Sequence, residues 1–210
     1  LRAMESKARF FTEHDKNIAL DTQTEILEGI IPAYKEHMES GQIEIITSPY
    51  YHPILPLLFN SKSARGADKK SPLPRINFSY PQDAQAQINM AVEFYRERFG
   101  VSPGGMWPSE ESVSEEILPF IMRSGINWIV ADEAILFKSL RKKKRDTSLL
   151  YQPHFFKRKE AKLNVVFRDR NLSDMLSFEY MKWKTEDAVK DLLKHLSNIN
   201  DAYSNQDTLV

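Results

Sequence analysis

The sequence contains no cysteine, which excludes a disulfide scaffold and any thiolate metal site. It has no excess of charge either. Lys and Arg number 29 and Asp and Glu number 29, so no net field draws the chain to nucleic acid or to an anionic membrane. No apolar run approaches the roughly 18 residues that a membrane-spanning helix needs. The stretch Leu1 to Leu20 is mixed and charged and lacks the apolar core of a signal peptide. These absences predict a cytoplasmic protein, with export left open because the chain starts at Leu1 and not at Met. What is present is an ordinary globular balance, 41% apolar and 11% aromatic over 210 residues. That is enough for one domain with a large buried core.

Thr22-Gln-Thr-Glu25 reads as a capping box, with Ile26, Leu27, Ile30, Ile31 and Tyr34 behind it at helical spacing and Gly41 as the stop. Ile43 to Thr47 reads as a buried strand ended by Pro49. Residues 49–81 are dense in proline and weakly periodic, and loops of that length often carry function. Pro81 opens a helix whose apolar stripe is Ala84, Ile88, Ala91, Val92, Tyr95 and Phe99, ended by Gly100. Gly104 to Trp107 is a short strand. Ser112 to Glu115 is a second capping box before a helix through Ile117, Leu118, Ile121 and Met122, with Gly125 as stop. Ile126 to Ala131 and Leu163 to Phe167 are strands, and Thr185 to Leu196 is a helix with Ala188, Leu192 and Leu196 inward. Alternation of this kind predicts an α/β fold with a parallel sheet, open or closed into a barrel. The basic run Arg141 to Arg145 reads as a solvated loop.

Four strands run into polar or aromatic groups at their C-terminal ends: Ser48 to Pro53, Pro108 to Glu110, Asp132-Glu133, and Arg168-Asp169. In parallel α/β folds that edge is where active sites form. Acidic clefts with Trp and Tyr suit sugars, whose hydroxyls meet carboxylates and whose ring faces meet aromatics. Retaining glycoside cleavage needs two carboxyl groups about 5–5.5 Å apart, one as nucleophile and one as acid/base.

The stretches GQIEIITSPYYHPILPLL, FSYPQDAQAQI, FGVSPGGMWPSEESVS, GINWIVADEAIL and VVFRDRNLSDMLSFEY, in order from about residue 41 to 183, strongly resemble glycoside hydrolase family 57, its amylopullulanase-like and α-amylase-like branch. The resemblance implies an incomplete seven-stranded (β/α)7 TIM-like barrel that hydrolyses or transfers α-glucans with retention, without a cofactor or metal. It places the nucleophile at Glu110, Glu44 near the donor sugar, and His52 along the same cleft. Two pieces of the family pattern are absent: a first strand with a His-x-His-like motif, and the Asp-Gly-Glu motif that carries the acid/base. Residues 1–210 are therefore expected to be a central part of the catalytic domain, inactive alone, with the acid/base beyond Val210. Asn60, Glu111 and Ser177 stand where the family usually has Asp, Gly and Gly, which bears on substrate preference.

Each residue also has a plainer reading. Glu110 reads either as the nucleophile or as an exposed acid at a helix N-terminus, where the dipole favours its ionised form. His52 is a donor to a sugar hydroxyl or a packed loop histidine. Glu44 contacts substrate or joins a buried polar network. Asp132 and Glu133 point to opposite faces, and Asp132 is preferred for the cleft. Arg168 and Asp169 bind substrate or form an ion pair between strand ends. Asp174 binds substrate or caps the next turn. Trp107 stacks on a sugar or fills the core, while Trp128 and Trp183 are assigned to packing. Two other functions compete: a metal-dependent polysaccharide deacetylase, for which the five histidines offer no ligand-spaced pair, and a catalytically silent glucan-binding fragment.

Overall fold

The structure, a computed structural model, describes residues 2–142 and 144–203. The chain divides into two compact units, Leu1–Ile45 and Ile46–Val210.

The first unit holds α1 (Arg2–Lys7) and the long α2 (Glu13–Glu39). Helix α2 begins earlier than the Thr22 box predicts. Thr12 caps it, accepting from Asp15 N at 3.2 Å while Asp15 accepts from Thr12 N at 2.7 Å. Both sites fit the capping pattern, but Thr22 spends its hydroxyl on Ile18 O inside the helix at 2.8 Å. The apolar residues of α2, Ile26, Leu27, Ile30, Ile31 and Tyr34, are all exposed.

The second unit is an α/β layer structure. In chain order it contains α3 (Leu55–Phe59), α4 (Ala64–Ala67), α5 (Pro81–Phe99), β1 (Gly105–Met106), α6 (Leu118–Arg123), β2 (Trp128–Asp132), α7 (Glu133–Ser139), α8 (Thr147–Leu150), β3 (His154–Arg158), β4 (Ala161–Arg168), α9 (Arg170–Asp174) and α10 (Thr185–Tyr203). Helix α5 matches its sequence pattern: the six stripe residues are buried and Gly100 ends it at φ 78°, a left-handed position that glycine fills without strain.

The sheet order is β1-β2-β4-β3. Strands β1, β2 and β4 are parallel, with Gly105 beside Trp128 and Asp132 beside Arg168. β3 is antiparallel to β4, joined by a turn with Lys159 at φ 54°, so the sheet is mixed and not purely parallel. The expected strand at 43–47 reduces to one parallel bridge, Thr47 to Met106.

Alternation along the strands sorts side chains to two faces. Ile129, Ala131, Leu163 and Val165 pack against Ile88, Val92, Ile117 and Ile121 of the helical layer. Burying each large aliphatic side chain contributes about 1.5–3 kcal/mol. Trp128, Val130, Asn164, Val166 and Arg168 face the other way and line a cavity of about 820 Å³, together with Leu192 and Leu196 of α10. Trp128, expected as core, is therefore a half-buried wall of that cavity. Helix α10 is longer than predicted, and Ala188, Leu192 and Leu196 are half-buried as its inward stripe. Trp183, assigned to packing, is 45% exposed and meets only the edge of Tyr180 among its ring contacts.

Candidate active site

The C-terminal ends of Thr47, β1, β2 and β4 share one sheet edge, because all four run parallel. Met106 is fully buried in the core, so Trp107 turns to the opposite face, where it is half-buried. Its backbone N–H donates to Thr47 O at 2.7 Å.

Pro108 then leads into a tight turn, Ser109–Glu111. Glu111 N donates to Pro108 O at 2.8 Å and Ser112 N to Ser109 O at 3.0 Å. Glu110 and Glu111 both adopt left-handed backbone, at φ 53° and 54°. Such a conformation costs a non-glycine residue on the order of 1 kcal/mol and persists only where the surroundings hold it. No helix starts at Glu110. The next one, α6, begins at Leu118 with Ile117 as its cap and no side-chain capping bond. The helix-dipole reading of Glu110 and the Ser112 capping box both fail for that reason.

The Glu110 side chain is 73% exposed, and its Oε1 lies 3.7 Å from His52 Nε2. His52 has φ 56° and its N–H donates to Pro49 O at 2.8 Å. Its side chain is 54% exposed, which overturns the packed-histidine reading. Glu44 falls in the other unit; it is exposed and outside any strand, so it does not belong to a buried polar network.

Behind Glu110 lies a line of charges. Glu111 is buried, and its Oε1 sits 3.0 Å from Arg168 Nε. Arg168 also reaches Asp132 Oδ2 at 3.4 Å. Asp132 receives Arg170 Nε at 3.1 Å and, as cap of α7, Ala134 N at 2.8 Å. Burial pushes the Asp132 pKa up, but the Arg170 hydrogen bond and the Ala134 N–H outweigh it and hold the carboxyl below its ordinary value. Glu111 goes the other way: burial raises its pKa, and Arg168 offsets this only in part.

A second network lies beside the first. Glu133, the first residue of α7, is buried and accepts from Arg145 Nε at 2.9 Å. Arg145 also donates to Asp169 Oδ2 at 2.7 Å, and the Tyr151 hydroxyl donates to the same oxygen. Asp169 Oδ1 accepts from Leu172 N at 3.0 Å, capping α9. Burial works against the Asp169 carboxylate, yet Tyr151, the Leu172 N–H and Arg145 together keep its pKa low. Burial and the bond to Asp169 push the Tyr151 phenol well up.

Arg168 and Asp169 are thus engaged in two separate networks, each with other partners. Asp174 makes no capping bond to the turn after α9 and is half-buried. Within the basic run, whose Lys143 lies outside the described residues, Arg145 is not simply solvated, since it ties α7 to the end of β4. Tyr151 and Arg170 carried no sequence signal, and Glu111 and Arg145 stood out only as a departure from the family pattern and as part of a basic run, because each one's partners lie far along the chain. Among the described residues, no group of three His, Cys, Asp or Glu side chains is arranged to hold a metal ion, and no helix is long and apolar enough to cross a membrane.

A mixed α/β sheet whose parallel strands gather acids and aromatics at one edge defines a segment of an incomplete (β/α)7 TIM-like barrel. The sequence profile described as Glycosyl hydrolase family 57 matches residues 10–210, and the chain belongs to that family. Over 115 residues it is 30% identical to an enzyme named Alpha-amylase 1 from Dictyoglomus thermophilum, covering 53% of this chain and 14% of that one. Its backbone superposes on a 4-alpha-glucanotransferase from Thermococcus litoralis with TM-score 0.54 and 19% identity, covering 78% of this chain and 22% of that one. It also superposes on a GH57-type branching enzyme from Pyrococcus horikoshii with TM-score 0.55 and 19% identity, covering 87% and 33%. The chain therefore spans a third or less of these relatives.

Proposed function

We propose that residues 1–210 are the central part of the catalytic domain of a retaining α-glucan hydrolase or glucanotransferase, with Glu110 as nucleophile. The observation that carries this is the Glu110 carboxyl itself. It stands exposed at the strand-end edge with the His52 imidazole 3.7 Å away, while Asp132 and Asp169 are occupied by arginines. The names of the relatives, an amylase, a glucanotransferase and a branching enzyme, support an α-glucan as substrate.

In this reading a Glu110 oxygen bonds to the anomeric carbon as the glycosidic C–O bond breaks, and a second carboxyl protonates the leaving oxygen. Water or another sugar hydroxyl then attacks the anomeric carbon, giving its proton to that second carboxyl, now a carboxylate, and Glu110 leaves as carboxylate. His52 donates to a sugar hydroxyl, and Trp107 offers a ring face at the same edge. Asp132, Arg168, Asp169 and Asp174 are the further candidate substrate contacts within the unit Ile46–Val210. Asp132 and Asp169 have their pKa values held low by their partners and Glu111 is buried against Arg168, so none of these three is suited to be the proton donor. In the full-length enzyme, Glu110→Gln is expected to lower turnover by several orders of magnitude with the fold intact, as judged by circular dichroism. Near-normal turnover ends the assignment.

A further inference from the structure

We infer that Glu111 is a positioning residue: its ion pair with Arg168 clamps the left-handed turn that presents Glu110. The inference rests on Glu110 being the nucleophile. Two consecutive non-glycine residues at positive φ do not persist unaided. The Glu110 side chain, 73% exposed and 3.7 Å from the His52 imidazole, contributes little to holding them. Two backbone hydrogen bonds close the turn. The remaining anchor is the next side chain, which reverses direction into the protein and ends 3.0 Å from Arg168 Nε. That contact is an ion pair without hydrogen-bond alignment.

Arg168 is a firm post. It closes β4, whose register to β2 is continuous from Asn164 to Arg168, and it also reaches Asp132. The clamp therefore ties the turn after β1 to the end of a strand two places across the sheet. With residue 111 anchored, the backbone at 110 has little freedom to relax to ordinary negative φ, and the Glu110 carboxyl keeps one direction. Displacing an attacking atom by about 1 Å can cost on the order of a hundredfold in rate.

Glu111→Gln and Glu111→Ala in the full-length enzyme test this, with an activated aryl maltooligosaccharide as substrate. The glutamine keeps the size but loses the charge. The alanine keeps the strained left-handed backbone but has no tether. Both are expected to lower kcat per folded molecule by about 10- to 100-fold while KM stays within about twofold. A purely structural role lowers the folded fraction and leaves kcat per folded molecule unchanged, and that outcome overturns the inference. Glu110→Gln is measured alongside. If it is inactive while both Glu111 variants match wild type, the clamp is wrong and the nucleophile stands. If Glu110→Gln itself is active, both fall.

Discussion

Gly105 lies directly against the ring of Trp128: a Cβ on Gly105 would stand 2.6 Å from Trp128 Cζ2 and 2.8 Å from Ile46 Cγ2. These residues are register partners on β1 and β2, so the strand that leads to Glu110 can approach its neighbour only because position 105 lacks a side chain. Gly105→Ala is expected to destabilise the protein by about 1–3 kcal/mol through overpacking, at about 2–4 °C of melting temperature per kcal/mol. Trp128→Phe in the same chain should recover part of that loss, because the two changes share one contact. Strictly additive melting shifts would contradict the packing account.

Stability should fall in acid through two carboxylates. Asp132 and Asp169 both have folded pKa values below those of the unfolded chain. Their contribution is complete above the unfolded value of about 3.9 and is lost as pH falls from there through the folded values. Melting temperatures between pH 7 and pH 3 check this. Asp169→Asn should lower stability at pH 7 and flatten the acid decline. An acid decline as steep as wild type in that variant would contradict it.

His52→Gln should retain more activity than His52→Ala in the full-length enzyme, because the glutamine amide still offers a donor to a sugar hydroxyl. The expected loss for alanine is about 10- to 100-fold in kcat/KM, the cost of roughly 1.5–3 kcal/mol in a hydrogen bond to a charged or polar transition state. Equal activity of the two variants would remove His52 from substrate binding.

The 210-residue chain by itself should hydrolyse maltooligosaccharides poorly or not at all, since its acids near Glu110 are either held ionised or buried. Reducing-sugar release measured at matched molar concentration against the full-length enzyme checks this. Robust hydrolysis by the short chain would show that an acid within it, such as Asp132 or Asp169, gives up a proton to the leaving group.

The sequence was most legible where one periodicity ran uninterrupted. The α5 stripe from Ala84 to Phe99 and its Gly100 stop needed only the 3.6-residue repeat, and the apolar runs around Ile129 and Val165 announced β2 and β4. β3 escaped because His154 to Arg158 is mostly exposed and basic, and its turn at Lys159-Glu160 has no glycine or asparagine to mark it. The start of α2 was misplaced because Thr12 and Thr22 offer the same local pattern, and only the hydrogen bonds choose between them. Within the site, the gathering of Glu110, Asp132 and Arg168 at one edge followed from the parallel topology. The pairs Glu111–Arg168 and Arg145–Asp169 did not, because ion-pair partners across a sheet leave no mark in either local segment.

The most direct test of Glu110 is to trap the covalent sugar. The full-length enzyme is incubated with a ring-fluorinated maltooligosaccharyl fluoride, which loses its anomeric fluoride readily but leaves the enzyme slowly, then digested and mapped by tandem mass spectrometry. The mass of one glycosyl group is predicted on the Glu110 carboxyl, in the peptide containing Trp107 to Ser112. A sugar carried on Glu111, Asp132 or any other residue, or an intermediate that forms unimpaired in Glu110→Gln, would contradict the account.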